Sequence, residues 1–507
     1  MKMRGSLKRS AALVALTFAV GGGAGAIFSC GTDAADLPAD VAPGGDASPD
    51  GSGTAEAAPS PPVPDSGTDV AIVPDAAVPL PVAKGDPCRG VALPVDQHYV
   101  PAGMCARVVA INLDYMRQLT FAPNGDLFVA RDFGVINLLH DANGDGVFDP
   151  TEISDWASTL GDAATTDSGN NVHIAGGFLY AGTAGGVMRW PYVPGAVTGG
   201  IGEDVLVDAP PAGHPKHTVH IYDGFLYVMS GSLSNADTPA GGAYDTNRAV
   251  LRRFNLAAFV PGTPFTWTAG EVVTVGLRNM VGFTQNAAGR MWGVVNGIDA
   301  ASYDGADVQQ DNPGEQVVEL GAGRAYGFPF CFTAQKVMKS SGLVVPGTQL
   351  TFDQFTFHDD AWCAANSMKP ATFLQAHSAP LDIRFFERDP KGVLPERWRG
   401  GAFITFHGSS YRTVPTGYKV VWMPFDASGL PPMPTANAAG EIDFPYETVF
   451  GGGTSAGPVD GKWTWSLNGA GESPHPVGIA ISPIDGALYI SSDIGRLYRI
   501  GLVGSGN

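Results

Sequence analysis

The sequence predicts an all-β fold, a six-bladed β-propeller carried on a disordered N-terminal lipoprotein tether. Three observations predict it. From Cys88 onward the 507-residue chain is rich in glycine and in short strand-like runs, with few apolar periods of helical length. An apolar stretch, a polar turn and an aromatic or aliphatic strand recur six times, in "LTFAPNGDLFVA", "VHIAGGFLYAGT", "VHIYDGFLYVMS", "VGFTQNAAGRMWGVV", "RGGAFITFHGS" and "GIAISPIDGALYISS". A further strand follows each, respectively "GVINLLH", "GVMRWPY", "AVLRRFNL", "EQVVELG", "GYKVVWMPF" and "GRLYRIGL". The turns hold Asn-Gly, Asp-Gly or Gly-Gly, residues that tolerate the positive φ of tight hairpins. "CARVVAINL", Cys105 to Leu113, precedes the first unit and is expected to close the ring against the last blade. A large β-sandwich is the alternative, and it leaves the paired repeats unexplained.

The N-terminus predicts export. Lys2, Arg4, Lys8 and Arg9 form a basic region, and "AALVALTFAV" is an apolar run too short to span a bilayer stably. It leads into "IFSC", Ile27 to Cys30, which resembles a bacterial lipobox with an unusual Phe28. Residues 1–30 then form a lipoprotein signal peptide, with Cys30 lipidated at the cell envelope. An ordinary secretory signal cleaved nearby is the alternative. Residues 31–86, built from Pro, Ala, Gly, Ser and Asp, bury too little apolar surface to fold and read as a linker. The propeller is expected over 87–507. The linker supplies much of the net charge of -19, so that figure does not describe a binding face. No basic stripe or nucleic-acid motif is present, which argues against DNA or RNA as partner.

Five cysteines fit an exported protein. With Cys30 assigned to lipid, Cys88, Cys105, Cys331 and Cys363 remain, an even number that suggests two disulfides. Cys88–Cys105 and Cys331–Cys363 are the simplest pairs, and the sequence leaves the other pairings open.

"DANGDGVFDPTE", Asp141 to Glu152, has a calcium-loop pattern. Asp141, Asn143 and Asp145 occupy the first three ligand positions, and Gly146 makes the sharp turn. Val147 offers a carbonyl, Asp149 acts directly or through water, and Glu152 closes the shell with two oxygens. No long helices flank it. The expectation is a structural Ca2+ that pins a loop between strands, with "EISDWAS" as at most one short helix. A solvated acidic turn is the bland alternative.

The ordered series "GHPKHTVHIYDGFLYVMSGSLSN", "GLRNMVGF", "MWGVVNGID", "GAGRAYGFPFC", "HSAPLDI", "FHGSSYRTVPTGYKVVWMPF" and "HPVGIAISPIDGALYISS" resembles the glucose/sorbosone dehydrogenase family, on the sorbosone-type side. It covers nearly all of Arg117 to Ile500. The resemblance implies a six-bladed propeller that binds pyrroloquinoline quinone (PQQ) and calcium on its axis and oxidises sugars or related aldehydes. A quinone or cytochrome would accept the electrons. It implies that His214 in "GHPKH" is the general base, and that Arg278 and Asn279 in "GLRN" contact the quinone. Gly297 and Ile298 in "NGID" fall where backbone carbonyls hold the cofactor's calcium. The residue types suit the chemistry: a polyanionic quinone needs cationic or amide donors, and a neutral histidine takes the hydroxyl proton as hydride leaves.

The departures from the family pattern are specific. Ser232 follows Gly231 where the glucose enzyme has an acid, so His214 needs another acceptor to orient it. His407 stands near the family's lysine, His475 where an arginine often precedes Pro-Val, and His217 in place of another arginine. Each change removes a permanent cation from a site meant for a triacid. A propeller can keep its fold after losing its chemistry. The second expectation is therefore a calcium-stabilised binding module for glycan or protein.

Overall fold

The computed structural model describes Cys88, residues 91–92 and residues 98–503, apart from 160–170, 212, 215–216, 239–241, 355–356, 388–391, 410 and 453–473. Cys30, the signal segment and the linker lie outside the described residues.

Six antiparallel sheets follow one another along the chain, as the repeats predict. Blade 1 runs Met116–Phe121, Leu127–Arg131, Val135–Leu139, Ile153–Ser158 from axis to rim. Blade 2 is Val172–Ala175, Phe178–Gly182, Val187–Pro191, Glu203–Val207. Blade 3 is Val219–Tyr222, Phe225–Ser230, Val250–Asn255, Glu271–Val275. Blade 4 is Asn279–Gln285, Met291–Asn296, Glu315–Leu320, Thr372–Leu374. Blade 5 is Pro380–Phe385, Ala402–Phe406, Lys419–Met423, Glu447–Gly452. Blade 6 is Pro476–Ile481, Leu488–Ser492 and Ile494–Leu502, and its fourth strand is Met104–Asp114 from before blade 1. That pairing closes the ring where it was expected. It removes the free edges that an open sheet would present. The disulfide Cys88–Cys105 ties the chain to the closing strand, and Cys331–Cys363 staples the long insertion in blade 4.

The turns follow from the residues in them. In blade 3, Asp223 and Gly224 both take positive φ, at 51° and 78°, and so close the hairpin between Tyr222 and Phe225. The blade faces pack on one another through aromatic layers, such as Phe128, Trp156 and Trp190 between blades 1 and 2. Trp292, Ile404 and Phe406 do the same between blades 4 and 5.

Two expectations differ from the structure. "EISDWAS" is not helical: Ile153–Ser158 is the outer strand of blade 1, preceded by one 3-10 turn at Pro150–Glu152. It pairs antiparallel with Val135–Leu139 along its length, and its backbone groups are spent on that ladder and not on helical turns. "RGGAFITFHGS" is not a hairpin. It holds the second strand of blade 5 alone, and the innermost strand is Pro380–Phe385 of the "HSAPLDI" run. Fourth strands in blades 1 to 5 escaped the repeat because they lie at the rim and share no common residue pattern.

Candidate active site on the axial face

In each blade the innermost strand starts, and the second strand ends, at the same end of the propeller, because the two are antiparallel. Two registers therefore build one face. The residues just before the innermost strands are Tyr115, Asn171, Thr218, Arg278, Ala379 and His475. Those just after the second strands are Asp132, Thr183, Gly231, Gly297, His407 and Asp493. Most of the chemistry-bearing residues singled out from sequence fall in or next to these registers. The calcium-type loop does not.

On the arc formed by blades 3 and 4, His214 Nδ1 lies 2.8 Å from Ser232 Oγ. The Ser232 hydroxyl donates to the Ser234 carbonyl at 2.8 Å, so its oxygen must accept from His214 Nδ1–H. That places the ring proton on Nδ1 and leaves a lone pair on Nε2. Ser232 thus fills the place of the missing acid as orienting acceptor. The backbone fixes the same group, with His214 N–H donating to Ser232 O and Ser232 N–H to Arg278 O. Burial, and then the charge of Arg278, hold the imidazole down to about 3. His214 is therefore neutral throughout the physiological range.

Arg278 is buried and donates through Nε to the Asn235 carbonyl and through Nη2 to Asn235 Oδ1 and Asp299 Oδ2. Nη1 enters none of these bonds. Asn279 donates to Asn296 Oδ1, and Asn296 passes the chain on to the Pro380 carbonyl of blade 5. Arg278, Asn296, Gly297 and Ile298 line one cavity. Gly297 has no room for a side chain, since a Cβ would fall 2.4 Å from Pro313 Cγ. Its N–H donates to the buried carboxyl of Glu315, whose other oxygen takes the Ala379 N–H. Burial outweighs these amide bonds and lifts Glu315 to about 7.

On the arc formed by blades 5 and 6, His407 Nε2 lies 2.7 Å from Asp493 Oδ2, and His475 Nδ1 lies 3.8 Å from Asp493 Oδ1. The two rings meet edge to face at 4.9 Å. Burial pushes Asp493 up, but His407, His475 and Arg117 prevail and leave it at about 2. Arg117 sits 3.9 Å from Asp132 at the start of blade 1. His217 is fully buried, with Nδ1 2.7 Å from the Thr183 carbonyl.

Asp493, Glu315 and Asp299 escaped the sequence reading. "SSDIGR" looks like an ordinary turn, and only its register, directly after a second strand, marks Asp493. A second cluster inside the channel also escaped. His173 and His220, 3.1 Å apart through Nδ1, sit at matching places in the repeated "VHI" runs of blades 2 and 3.

In the loop Asp141–Glu152, Gly144 and Gly146 take φ of 73° and 79°, as the calcium pattern requires. Asp141 accepts from the Asp145 and Gly146 amides, and Asp145 from that of Val147. Glu152 accepts from Ala142, Asn143 and Asp149. The loop joins the third and fourth strands of blade 1. Phe148, buried, donates its N–H to Val109 of the closing strand. His407, His475 and Asp493 are the group of metal-type side chains that converges among the described residues; the loop's acids are not so gathered.

The TrAA12-like family matches residues 98–500. Among curated relatives, the pyrroloquinoline quinone-dependent pyranose dehydrogenase of Coprinopsis cinerea is 30% identical over 359 residues, 68% of this chain and 47% of that protein. The chain thus spans about half the length of that relative. The pyrroloquinoline quinone-dependent sugar dehydrogenase of Hypocrea jecorina is 29% identical over 66% of this chain and 77% of its own length. Among solved structures, the holo form of the pyranose dehydrogenase PQQ domain from Coprinopsis cinerea superposes with a TM-score of 0.63 at 26% identity, over 82% of this chain and 99% of that one. The calcium structure of the Trichoderma reesei Carbohydrate-Active Enzymes Family AA12 protein gives 0.64 at 26%, over 81% and 99%. The match runs from His98, in a two-residue strand that pairs with Glu447–Gly452 at the rim of blade 5, to the last strand of blade 6, through every residue of both axial arcs. The chain belongs to the TrAA12-like family, a glucose/sorbosone dehydrogenase-like group of six-bladed propellers.

Proposed function

We propose that this chain is an exported, lipid-anchored, PQQ-dependent dehydrogenase of sugars or related aldehydes, passing electrons to a quinone or cytochrome. The observation that carries the reading is His214, a buried neutral imidazole with its proton fixed on Nδ1 and, among the described residues, no hydrogen-bond donor shown on Nε2, next to the cation Arg278. A binding module has no need of such a tautomer lock, and the relatives are dehydrogenases by name.

The residues of blades 3 and 4 fit a planar polyanion. Arg278 supplies a permanent charge and Asn279 an amide, and Gly297 lines the same cavity packed too closely on Pro313 for any side chain. Gly297 and Ile298 would offer carbonyls to the cofactor's Ca2+, and His407 and His475 would face its far side. When bound, PQQ supplies the hydride acceptor. His214 Nε2 takes the proton from the substrate hydroxyl, and the Nδ1–H bond to Ser232 keeps the ring aimed. An anion beside Arg278 offsets the charge that holds His214 down, so the loaded site has a stronger base than the empty one. Ca2+ in the loop of Asp141, Asn143, Asp145, Val147, Asp149 and Glu152 would be structural. Cys30 would anchor the protein through lipid, its only membrane attachment, with residues 31–86 as spacer.

The test is titration of the purified protein with PQQ in calcium, followed by absorbance, and then a sugar panel read by dye reduction. A saturable spectral shift and turnover with at least one sugar are expected. With neither, the dehydrogenase reading fails. The anchor is tested apart from this, since Cys30→Ser should abolish partitioning into detergent phase.

A further inference from the structure

On the axial face, blades 5 and 6 bring together two imidazoles and one carboxylate. His407 follows the second strand of blade 5, His475 precedes the innermost strand of blade 6, and Asp493 follows the second strand of blade 6. One nitrogen or oxygen from each lies within 4.8 Å of the others. His407 and Asp493 are largely buried, and His475 is one-third exposed at its side chain.

The bonding of His407 is the informative detail. Nδ1 faces the Gly408 carbonyl at 3.3 Å, and Nε2 faces the Asp493 carboxylate at 2.7 Å. Both partners are acceptors, yet a neutral imidazole has one N–H. At 2.7 Å a proton on Nε2 bridges the ring to the carboxylate, and a metal ion would take the place of that proton while Nδ1–H stays on the Gly408 carbonyl. This is how metal-bound histidines are usually oriented, with the far N–H on a backbone carbonyl. The backbone of the other two residues is fixed: the His475 main-chain N–H donates to Ser492 Oγ, and the Asp493 main-chain carbonyl accepts from Tyr115 N–H. Three donors bound at about 2.1 Å need to lie only about 3–4 Å apart, which side-chain rotation within the present cluster supplies. Arg117 stands nearby but faces the second carboxylate of Asp132.

We infer that His407, His475 and Asp493 form a binding site for a first-row divalent transition metal such as Zn2+ or Co2+. Two nitrogens and one oxygen suit such ions and suit Ca2+ poorly, since Ca2+ prefers six to eight oxygens. Two neutral imidazoles, one carboxylate and a divalent ion leave a net single positive charge on the arc that lost its lysine and arginine. The inference stands on these side chains and does not depend on PQQ.

The test uses the full chain, stripped with chelator and without cofactor. Co2+ titration should give a visible absorption band that saturates at one ion per chain, and Zn2+ should displace it while millimolar Ca2+ should not. His475→Gln and Asp493→Asn should each weaken Zn2+ binding by more than roughly tenfold, since even outer-shell losses reach that size. Melting curves check that both variants fold. His475→Gln, at a partly exposed side chain, decides alone if Asp493→Asn does not fold. Absence of stoichiometric binding, or equal Zn2+ affinity in the folded variants and the parent, overturns the inference.

Discussion

The two arcs of the axial face were built by the same registers, yet they offer opposite electrostatics. Blades 3 and 4 present a permanent cation, Arg278, and a histidine whose proton is locked by a serine. Blades 5 and 6 present two histidines drawn onto a carboxylate, with no lysine or arginine in the corresponding places. The first arc has a fixed charge and a fixed lone pair. Charge on the second depends on a proton or a metal. On the proposed reading, the arc with the fixed lone pair would do the chemistry and the other arc would face the cofactor's far side.

The comparison breaks first at His214. His214→Gln should cut turnover by about two to four orders of magnitude, the usual contribution of a positioned base, with PQQ affinity nearly intact. Arg278→Ala should do the reverse in kind. It weakens PQQ binding because a charge-assisted donor leaves a buried site. If both variants lost binding and turnover together, the two roles would not be separable, and a folding defect would be the explanation. Stopped-flow reduction with PQQ titrations distinguishes the cases.

Ser232 gives the next effect in size. Ser232→Ala removes the acceptor that sets the His214 tautomer, and kcat should fall by about 10–100-fold, the range for outer-shell partners. Ser232→Asp should retain turnover and move the acidic limb of the pH profile upward, since a carboxylate beside Nδ1 favours the imidazolium. Full turnover in Ser232→Ala would mean that the ring is oriented by packing alone.

That serine shows where sequence reading stops. The repeat, the ring-closing strand, the hairpin turns and the two disulfides were legible because each is a local pattern or follows from small-number counting. His214, Arg278 and Asn279 were legible only through motifs in order. Ser232 was noticed as a loss, an acid gone, because a sequence does not say that its hydroxyl reaches both Nδ1 and the Ser234 carbonyl. Asp493 is more than eighty residues from His407 in the chain, and their pairing depends on blades 5 and 6 meeting at one end. That His407 and His475 share one carboxylate is hidden in the sequence for the same reason. "EISDWAS" was misread because a six-residue rim strand with one buried tryptophan has too short a pattern to show its period.

The pH dependence of stability sharpens the comparison further. Burial holds His173 and His217 to about 4 and, with Arg278, His214 to about 3, against an ordinary 6.5. Between pH 6.5 and about 4 the unfolded chain binds protons that the native state refuses, so these three histidines make stability fall as pH falls. Burial raises Glu315 to about 7 and Asp382 to about 6, which acts in the opposite sense. Their contribution is present below about 4 and is lost as pH rises through 6 to 7. Glu315→Gln should therefore steepen the acid loss of stability by up to one proton, about 1.4 kcal/mol per pH unit between pH 5 and 7. Denaturant melts at pH 5, 6 and 7 measure the slope, and an unchanged slope would mean that Glu315 is ionised in the native protein.

The smallest effect on chemistry is expected farthest from the axis, in the loop Asp141–Glu152. Two accounts of its carboxylates compete there. One is calcium ligation. The other is that Asp141 and Glu152 serve the loop's own amides, as Glu152 and Asp149 do in their reciprocal cap. Either role fixes the loop whose Phe148 packs on the strand that closes the ring, so Asp141→Ala with Glu152→Ala should lower the melting temperature. Calcium distinguishes the accounts. If the loop binds it, chelator lowers the parent's melting temperature, and the double variant shows no gap between calcium and chelator. If the acids only cap amides, the parent melts alike in both, and the variant is still less stable. In either case kcat measured well below the new melting point should match the parent within about twofold, since no residue of this loop reaches the axial face and surface changes away from a site act mainly through folding. A large loss of kcat in a folded double variant would show that the ring closure, and not the two arcs alone, holds His214 in register.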